Sequence, residues 1–551
     1  MNVLGRICNF RIATFQTGQK KFQFRQGFAG FLFRKMSQAV ENAANSDKST
    51  ILRPPKAVFG MTELDKDKFS MDVDFQCVRV EAKWIEKLKR SSFLDSILLN
   101  AKKIQLKQII PDPDDPSKRL MLLDPDKVKE NDGEIQNEII QKILLAVGED
   151  HKDDVKFSTA NQQITFQNWQ LPVCFKAILP FHYSSYTQIG HIIHCSFVDE
   201  LMPYKKVIAQ LFIEKIRGCR TVVMKTKNIT NVYRNLDLEL LAGEKEYITQ
   251  HKEGGITYKM DYSTVYWNSR LGHEHERIIQ KFDRDSLVYD ACAGIGPFAL
   301  PATKQRQPRV MVANDLNPES VRWLRENVKI NKIPEKSIQV FNLDGCEFLR
   351  TAVADSVVEN ILKDAQKLRD REENEKGPEE QRDYSKLDLA SGAHVIMNLP
   401  AFAVNFLPTF RGLLHNRFPN NELPKGVNFP FIVYCYLFTK SSVDVEDDFF
   451  ERQAREMVSE KLDWPDVRIL NAHNVRCVSS RKYMFCMEIE LPWKFLTAER
   501  DESKEWNPQD QVKSEVHEDD EVMEENSDIA EKGDGQPAEK RIKLNQNGSG
   551  N

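Results

Sequence analysis

Ser286-Leu287-Val288-Tyr289-Asp290-Ala291-Cys292-Ala293-Gly294-Ile295-Gly296-Pro297-Phe298 decides the fold. A short apolar strand ends on an acid, a loop with two glycines comes directly after it, and a helical pattern begins beyond the loop. Glycine lacks a Cβ, so a ligand can approach bare backbone there. Alone, such a loop is mostly an ordinary turn. Its weight comes from three more strands downstream. A second apolar strand, 310–314, ends in Asp315-Leu316-Asn317-Pro318; a third, 338–343, ends in Asp344-Gly345; a fourth, 394–397, ends in Asn398-Leu399-Pro400. Polar residues at the ends of successive strands, with helical patterns between them, describe an open α/β sheet whose ligand lies in the crevice at the strands' carboxyl ends. A carboxylate in the second position, Asp315, can accept both hydroxyls of a ribose. The loop lacks the third glycine of the dinucleotide fingerprint and the Gly-Lys-Ser/Thr of a phosphate-binding loop, which weakens hydride and phosphoryl transfer as readings.

Outward from this core, the continuous apolar run 429–438 suits a strand covered on both faces, and 467–470 followed by 475–491 suggests an antiparallel hairpin at the sheet edge. Upstream, Ile256, Tyr258, Met260 and Tyr262 alternate with polar residues behind Glu253-Gly254-Gly255, a half-buried strand entered by a hairpin. The expected organisation is a targeting segment at 1–40, a linker at 41–70, an N-terminal module at 71–175, an α+β domain at 176–262 and the α/β domain at 263–495. The charged stretch 363–386 is expected as a surface insertion without chemistry.

The 551 residues, 41% of them hydrophobic, can bury more than one core. A net charge of −4 argues against wholesale coating of nucleic acid, yet a sum hides local basic faces. One such face is expected from Lys205, Lys206, Lys215, Arg217, Arg220, Lys225 and Lys227, which crowd together ahead of Arg234 and would neutralise phosphates. The ten cysteines are scattered with no metal-ligand spacing, so neither a disulfide framework nor a metal site is indicated. No apolar run has the length of a membrane-crossing helix.

Both ends read as processing or solvated segments. Residues 1–39 contain no acid and interleave arginine and lysine with phenylalanine, the composition of a mitochondrial presequence. Initiation at Met36 would yield a product without it. Residues 496–551 are acidic and polar and are expected to be disordered, with a basic run at 537–544 of nuclear-signal type. A mitochondrial matrix location with cytoplasmic and nuclear pools is the expectation.

From about 285 to 492 the layout resembles the class I, Rossmann-like methyltransferases. The run Val265-Tyr266-Trp267-Asn268-Ser269-Arg270-Leu271-Gly272-His273-Glu274-His275-Glu276-Arg277-Ile278, taken with Gly294-Ile295-Gly296-Pro297-Phe298, Asp315-Leu316-Asn317-Pro318 and Asn398-Leu399-Pro400, resembles the eukaryotic and archaeal tRNA (guanine-37 N1)-methyltransferases. Asn231-Val232-Tyr233-Arg234 and Leu240-Leu241-Ala242-Gly243-Glu244 are similar to that family's middle domain. The resemblance implies S-adenosylmethionine as cofactor, tRNA as partner and a monomer. It implies Glu274 as base, Arg234 as the cation at the guanine oxygen and Asn398 as a third catalytic residue. For the cofactor it implies His275, Asp315, Leu316, Asp344, Gly345 and Asn398, with Gly294 and Gly296 giving room. His275 stands where archaeal relatives tend to carry arginine, and Ser269 replaces a proline.

The chemistry fits those residue types. N1 of neutral guanine bears a hydrogen, so methylation there requires a base to remove it and a cation to hold the charge that develops on O6. Tyr266 can stack on an extruded base. Three other readings stay open on the sequence: methylation of an exocyclic amine on another RNA, which Asn398-Leu399-Pro400-Ala401 fits poorly; a non-catalytic RNA-binding protein; and a nicotinamide-dependent oxidoreductase.

Overall fold

The computed structural model describes residues 52–90, 92–99, 104–128, 133–226, 237–374, 388–446, 448–479 and 481–506. The chain divides into two units, at Tyr183 and Ser184. In the first, strands Ile109–Pro111, Lys118–Leu122, Met71–Glu81 and Lys156–Ile164 lie side by side in that order as an antiparallel sheet. The third of these buries Phe75, Cys77, Val78 and Val80, and helix Gly133–Val147 contributes Ile139, Ile143 and Leu144 to the core. The expected boundary at 175/176 falls inside helix Leu171–Ile178. That helix closes on its own unit: Gly60 donates its N–H to the Ile178 carbonyl at 2.9 Å, and Phe175 meets Tyr183 edge-on at 5.7 Å.

The second unit begins with strands Tyr186–Ile189, Ile192–Cys195, Thr221–Lys225 and Leu238–Gly243 and helix Lys205–Lys215. The hairpin Ile248–Glu253 and Ile256–Asp261 comes next, its turn made by Gly254 and Gly255 at φ 55° and 77°. No structural boundary falls at the expected 262/263. One apolar core contains Ile189, Val223, Tyr258 and Met260 together with Val288, Ala313 and Tyr434, so the two expected domains share their interior. Two buried asparagines reinforce this. Asn331 and Asn327, at and within the end of helix Pro318–Ile330, accept the backbone N–H groups of Thr257 and Lys259 at 2.9 and 2.8 Å, and Asn331 returns a bond to the Thr257 carbonyl at 2.8 Å.

The main sheet has seven strands, numbered in chain order: β1 Ser286–Asp290, β2 Val310–Asn314, β3 Gln339–Phe341, β4 Gly392–Met397, β5 Phe431–Lys440, β6 Arg468–Ser479 and β7 Lys482–Glu490. Their order is β3-β2-β1-β4-β5-β7-β6, with β1 to β5 parallel and β7 antiparallel to both of its neighbours. β1 is buried along its whole length, as expected of a strand covered on both faces. β6 runs through residues 471–474, where a break was expected. Its polar residues there belong to an edge strand with three register shifts, and the hairpin turn lies between 479 and 482.

Two more expectations are corrected. Helix Ala354–Asn374 covers the first part of the stretch read as a surface insertion, yet it buries Val357, Ile361, Ala365 and Leu368, and its Asp364 binds Arg309 at 3.0 Å. Residues 375–387 lie outside the described residues. The tail expected to be disordered from 496 is folded as far as Trp506, because Phe495 and Leu496 are buried and the residues after them are tethered by hydrogen bonds. Among the described residues no helix is long and apolar enough to cross a membrane.

His194 and His394 sit in this interior, each pushed from 6.5 down to about 4 by burial, with Lys225 adding to the effect on His194. Between those values the unfolded chain binds protons that the native histidines refuse, so stability rises with pH across the window and is lost as pH falls through it. Acidification to about pH 5 is expected to cost on the order of 2 kcal/mol per histidine. Thermal unfolding across this range reads the effect, and His394→Gln should flatten the profile; an unchanged slope would assign the acid sensitivity elsewhere.

Candidate active site

The tips of β1, β2 and β3 are spliced by one side chain. Asn314, fully buried, donates to the carbonyls of Leu343 at 3.0 Å and Ala291 at 3.2 Å and accepts the Leu343 N–H at 2.9 Å. This brings the loop after β1, Asp315 after β2 and Asp344 after β3 to one crevice. The crevice is a cavity of about 430 Å³, within the range of small-molecule sites.

Most of the residues singled out in the sequence line it: Gly294, His275, Asp315, Leu316, Asp344, Gly345 and Asn398, with Tyr266 beside them. Asp315 is braced by the N–H groups of Gly294 at 2.7 Å and Asn317 at 2.9 Å. Burial nevertheless pushes its carboxyl above the ordinary value, and those two bonds, with one from the Ser320 side chain, only partly oppose the shift. Asp344 caps the helical turn after β3, accepting the N–H of Cys346 at 2.9 Å. His275 is fixed by Glu253, 2.8 Å from its Nδ1, and lies edge-on to Phe298 at 4.8 Å. Leu316 and Tyr266 remain 38% and 58% exposed, so each offers an apolar face to an incoming ring.

Among the described residues, two expected ones are not in the lining. Gly296 faces a packing contact: a Cβ there would lie 2.5 Å from Leu324 Cδ1 and 2.7 Å from Leu300 Cγ, so its role is helix packing and not room for a ligand. Gly294, by contrast, has open space where its Cβ would point and a φ of 54°. Glu274 lies behind the wall, 5% exposed. Its carboxylate accepts from Arg277 Nε at 2.6 Å, Arg277 Nη2 at 2.7 Å and the Tyr436 hydroxyl at 2.7 Å, with His473 Nε2 3.5 Å away. Arg234 lies outside the described residues.

Other lining residues were not legible in sequence. Arg476 and Val478 come from β6, and Phe406 and Trp506 from segments that carry no motif. Only the Asn-Val-Arg sequence of an edge strand signalled a cation at 476. Cys292 also lines the cavity; burial, then Asp315 and Asp290, push its thiol far above the ordinary range, so it stays protonated and unreactive. In the expected basic face, Lys205 binds Glu239 at 2.7 and 2.9 Å and Arg220 binds Glu246 at 2.8 Å, while Arg217 is exposed and Lys227 lies outside the described residues. Part of that charge is therefore compensated within the fold.

The residues present fit a nucleoside cofactor. A braced carboxylate stands at β2, backbone is exposed at Gly294, and Asp290 at the tip of β1 is fully buried without a well-formed hydrogen bond, its carboxyl pushed far up by burial and by Asp315. Strand order and strand-tip carboxylates together define a class I S-adenosylmethionine-dependent methyltransferase. Residues 249–374 match the TRM5/TYW2 methyltransferase domain and residues 179–246 the TYW2 N-terminal domain. A tRNA (guanine(37)-N(1))-methyltransferase of Caenorhabditis elegans is 47% identical over 454 residues, 82% of this chain and 92% of the relative; the Homo sapiens protein of that name is 32% identical over 462 residues, 83% and 82% of the two chains. The chain belongs to the tRNA (guanine(37)-N(1))-methyltransferase family. The solved structure of wild-type Trm5b from Pyrococcus abyssi shares 20% identity, covers 76% of this chain and 99% of its own, and aligns with a TM-score of 0.47.

Two outcomes test the site. Ribose hydroxyls donate best to an ionised carboxylate, so affinity for S-adenosylmethionine should fall with acidification at a pH above the ordinary 3.8 of an aspartate. Calorimetry should show this slope in the native protein and its absence in Asp315→Asn. Gly296→Ala should instead lower the free energy of unfolding by about 1–3 kcal/mol, through overpacking and through its φ of 98°; unchanged stability would return Gly296 to the ligand site.

Proposed function

We propose that this protein transfers the methyl group of S-adenosylmethionine to N1 of guanine 37 in tRNA. The observation that carries the reading is the 47% identity to a tRNA (guanine(37)-N(1))-methyltransferase across 92% of that relative. S-adenosylmethionine supplies an electrophilic methyl group on its sulfonium. The protein's own residues then have four tasks: hold the cofactor, accept the extruded base, remove the proton from N1 and hold the charge on O6.

Asp315, Asp344 and the backbone at Gly294 hold the nucleoside. Tyr266 and Val478, both exposed at the cavity, offer faces on which a guanine can stack. Asn398 presents its amide to the base edge or to the methionine end of the cofactor. Glu274 is the proposed proton acceptor. It accepts three hydrogen bonds, two on Oε1 and one on Oε2, so a lone pair on Oε2 remains for the N1 proton, and because the residue lies behind the cavity wall, entry of the base must bring N1 to it. Arg234 is proposed at O6. The acid-free leader directs the chain to the mitochondrial matrix, with cytoplasmic and nuclear pools, and the protein acts as a monomer; the leader and the basic run at 537–544 lie outside the described residues.

Mass analysis of nucleosides from unmodified tRNA transcripts incubated with protein and methyl donor tests the reading. The expected product is 1-methylguanosine, lost when guanine 37 is replaced; an exocyclic N-methyl product would reject it. Glu274→Gln should keep cofactor affinity and lower kcat by about 10²- to 10⁴-fold. Near-normal kcat in that variant removes Glu274 from the base role.

A further inference from the structure

We infer that Trp506 is a cofactor-positioning residue, held by a C-terminal strap so that it backs the wall of the pocket at Gly345. The inference rests on the reading of the cavity as a cofactor site. Trp506 lies more than a hundred residues of sequence away from the strand tips, in the region where composition suggested disorder, yet it lines the same cavity as Asp315 and Gly345.

The strap is fixed step by step. Gly412 and Leu414 donate their N–H groups to the carbonyls of Phe495 and Leu496 at 3.1 and 2.7 Å, and Arg411 Nε donates to the Glu499 carbonyl at 3.2 Å. The approach is close enough to require glycine at 412, where a Cβ would sit 2.7 Å from the Ala498 carbonyl oxygen and φ is 70°. Glu505 then anchors the end. Its side chain is only 10% exposed, pairs with Arg350, and accepts from Arg500 Nε at 2.5 Å and Nη2 at 2.8 Å. Burial raises the Glu505 carboxyl, but the two guanidiniums outweigh it and hold the group below its usual range. Lys504 reaches Asp463 at 2.5 Å. A segment with no helix longer than three residues after Leu496 is thus held by charge-assisted bonds.

Those anchors place one ring. Trp506 lies 5.2 Å from Phe406 and 6.4 Å from Phe402, and Phe406 is so close over Gly345 that a Cβ there would meet its Cε2 at 2.9 Å. The contacts run from the strap through Phe406 to Gly345, beside the carboxylate that caps the turn after β3. Asp344 and Gly345 are among the residues assigned above to the cofactor. Trp506 therefore governs cofactor affinity and not tRNA affinity.

Full-length Trp506→Ala, Trp506→Phe and Glu505→Gln test the inference. For Trp506→Ala, calorimetry with S-adenosylmethionine and with S-adenosylhomocysteine should show affinity weakened by about tenfold. Its KM for S-adenosylmethionine should rise in parallel, while kcat and the KM for tRNA stay within about twofold. Trp506→Phe should recover most of the affinity; because Trp267 also lines the cavity, the fluorescence arm uses a Trp267→Phe background, in which adding Trp506→Phe should abolish the cofactor-induced change. Glu505→Gln should fall between native and Trp506→Ala. Unchanged cofactor affinity in Trp506→Ala, or a loss confined to tRNA KM, would overturn the inference. So would a fluorescence change that survives Trp506→Phe in the Trp267→Phe background, a result readable even if the alanine variant does not fold. If the native protein binds cofactor but leaves guanine 37 unmethylated, the functional reading fails while the binding arm still decides the role of Trp506.

Discussion

Everything in this site depends on the carboxamide of Asn314. A parallel sheet fixes the spacing of its strands but leaves their carboxyl ends as unpaired backbone, where loops can splay. Asn314 fills that gap with three bonds to the backbone on both sides of it, to Ala291 and Leu343. Because it is fully buried, each lost bond would leave a desolvated polar group behind, which makes the arrangement all-or-nothing. The separation of Gly294, Asp315 and Asp344 is therefore set by this side chain together with the Gly294 N–H on Asp315 and the Asn342 amide on the carbonyls of Asp315 and Leu316.

Around this point the protein keeps charged groups in two different states of readiness. Asp315 is braced by two backbone N–H groups and the Ser320 side chain, all neutral donors, yet pushed up by burial, so a ligand's hydroxyls can add to its support. Glu274 instead has a charged partner: it accepts from Arg277 and Tyr436, and burial of Arg277 is outweighed by that pairing, which holds its guanidinium firmly protonated.

The sequence made the crevice legible because its residues sit at strand ends, where local pattern and ligand geometry coincide. Asp315, Asp344 and Asn398 come directly from that rule. Gly296 was misread because a packing glycine and a ligand glycine look alike in a loop; only the nearness of Leu300 and Leu324 separates them. Trp506 and Phe406 were invisible because they arrive by tertiary contact, Trp506 from a segment whose acidic composition masks how firmly two arginines hold it. The domain boundary near 262 failed for a related reason: periodicity reports that a strand is half buried, but not whose core buries it.

The asparagine pair at helix Pro318–Ile330 has a consequence beyond joining two layers. The strand Ile256–Asp261 has one neighbour in its hairpin, and its other edge would present open backbone groups. Asn327 and Asn331 occupy that edge as a false strand, so no foreign chain can add to it. Replacing both amides with apolar side chains would preserve the helix but leave the Thr257 and Lys259 N–H groups, part-buried beneath it, without acceptors, a loss of about 1–3 kcal/mol for each that loosens the hairpin from the sheet.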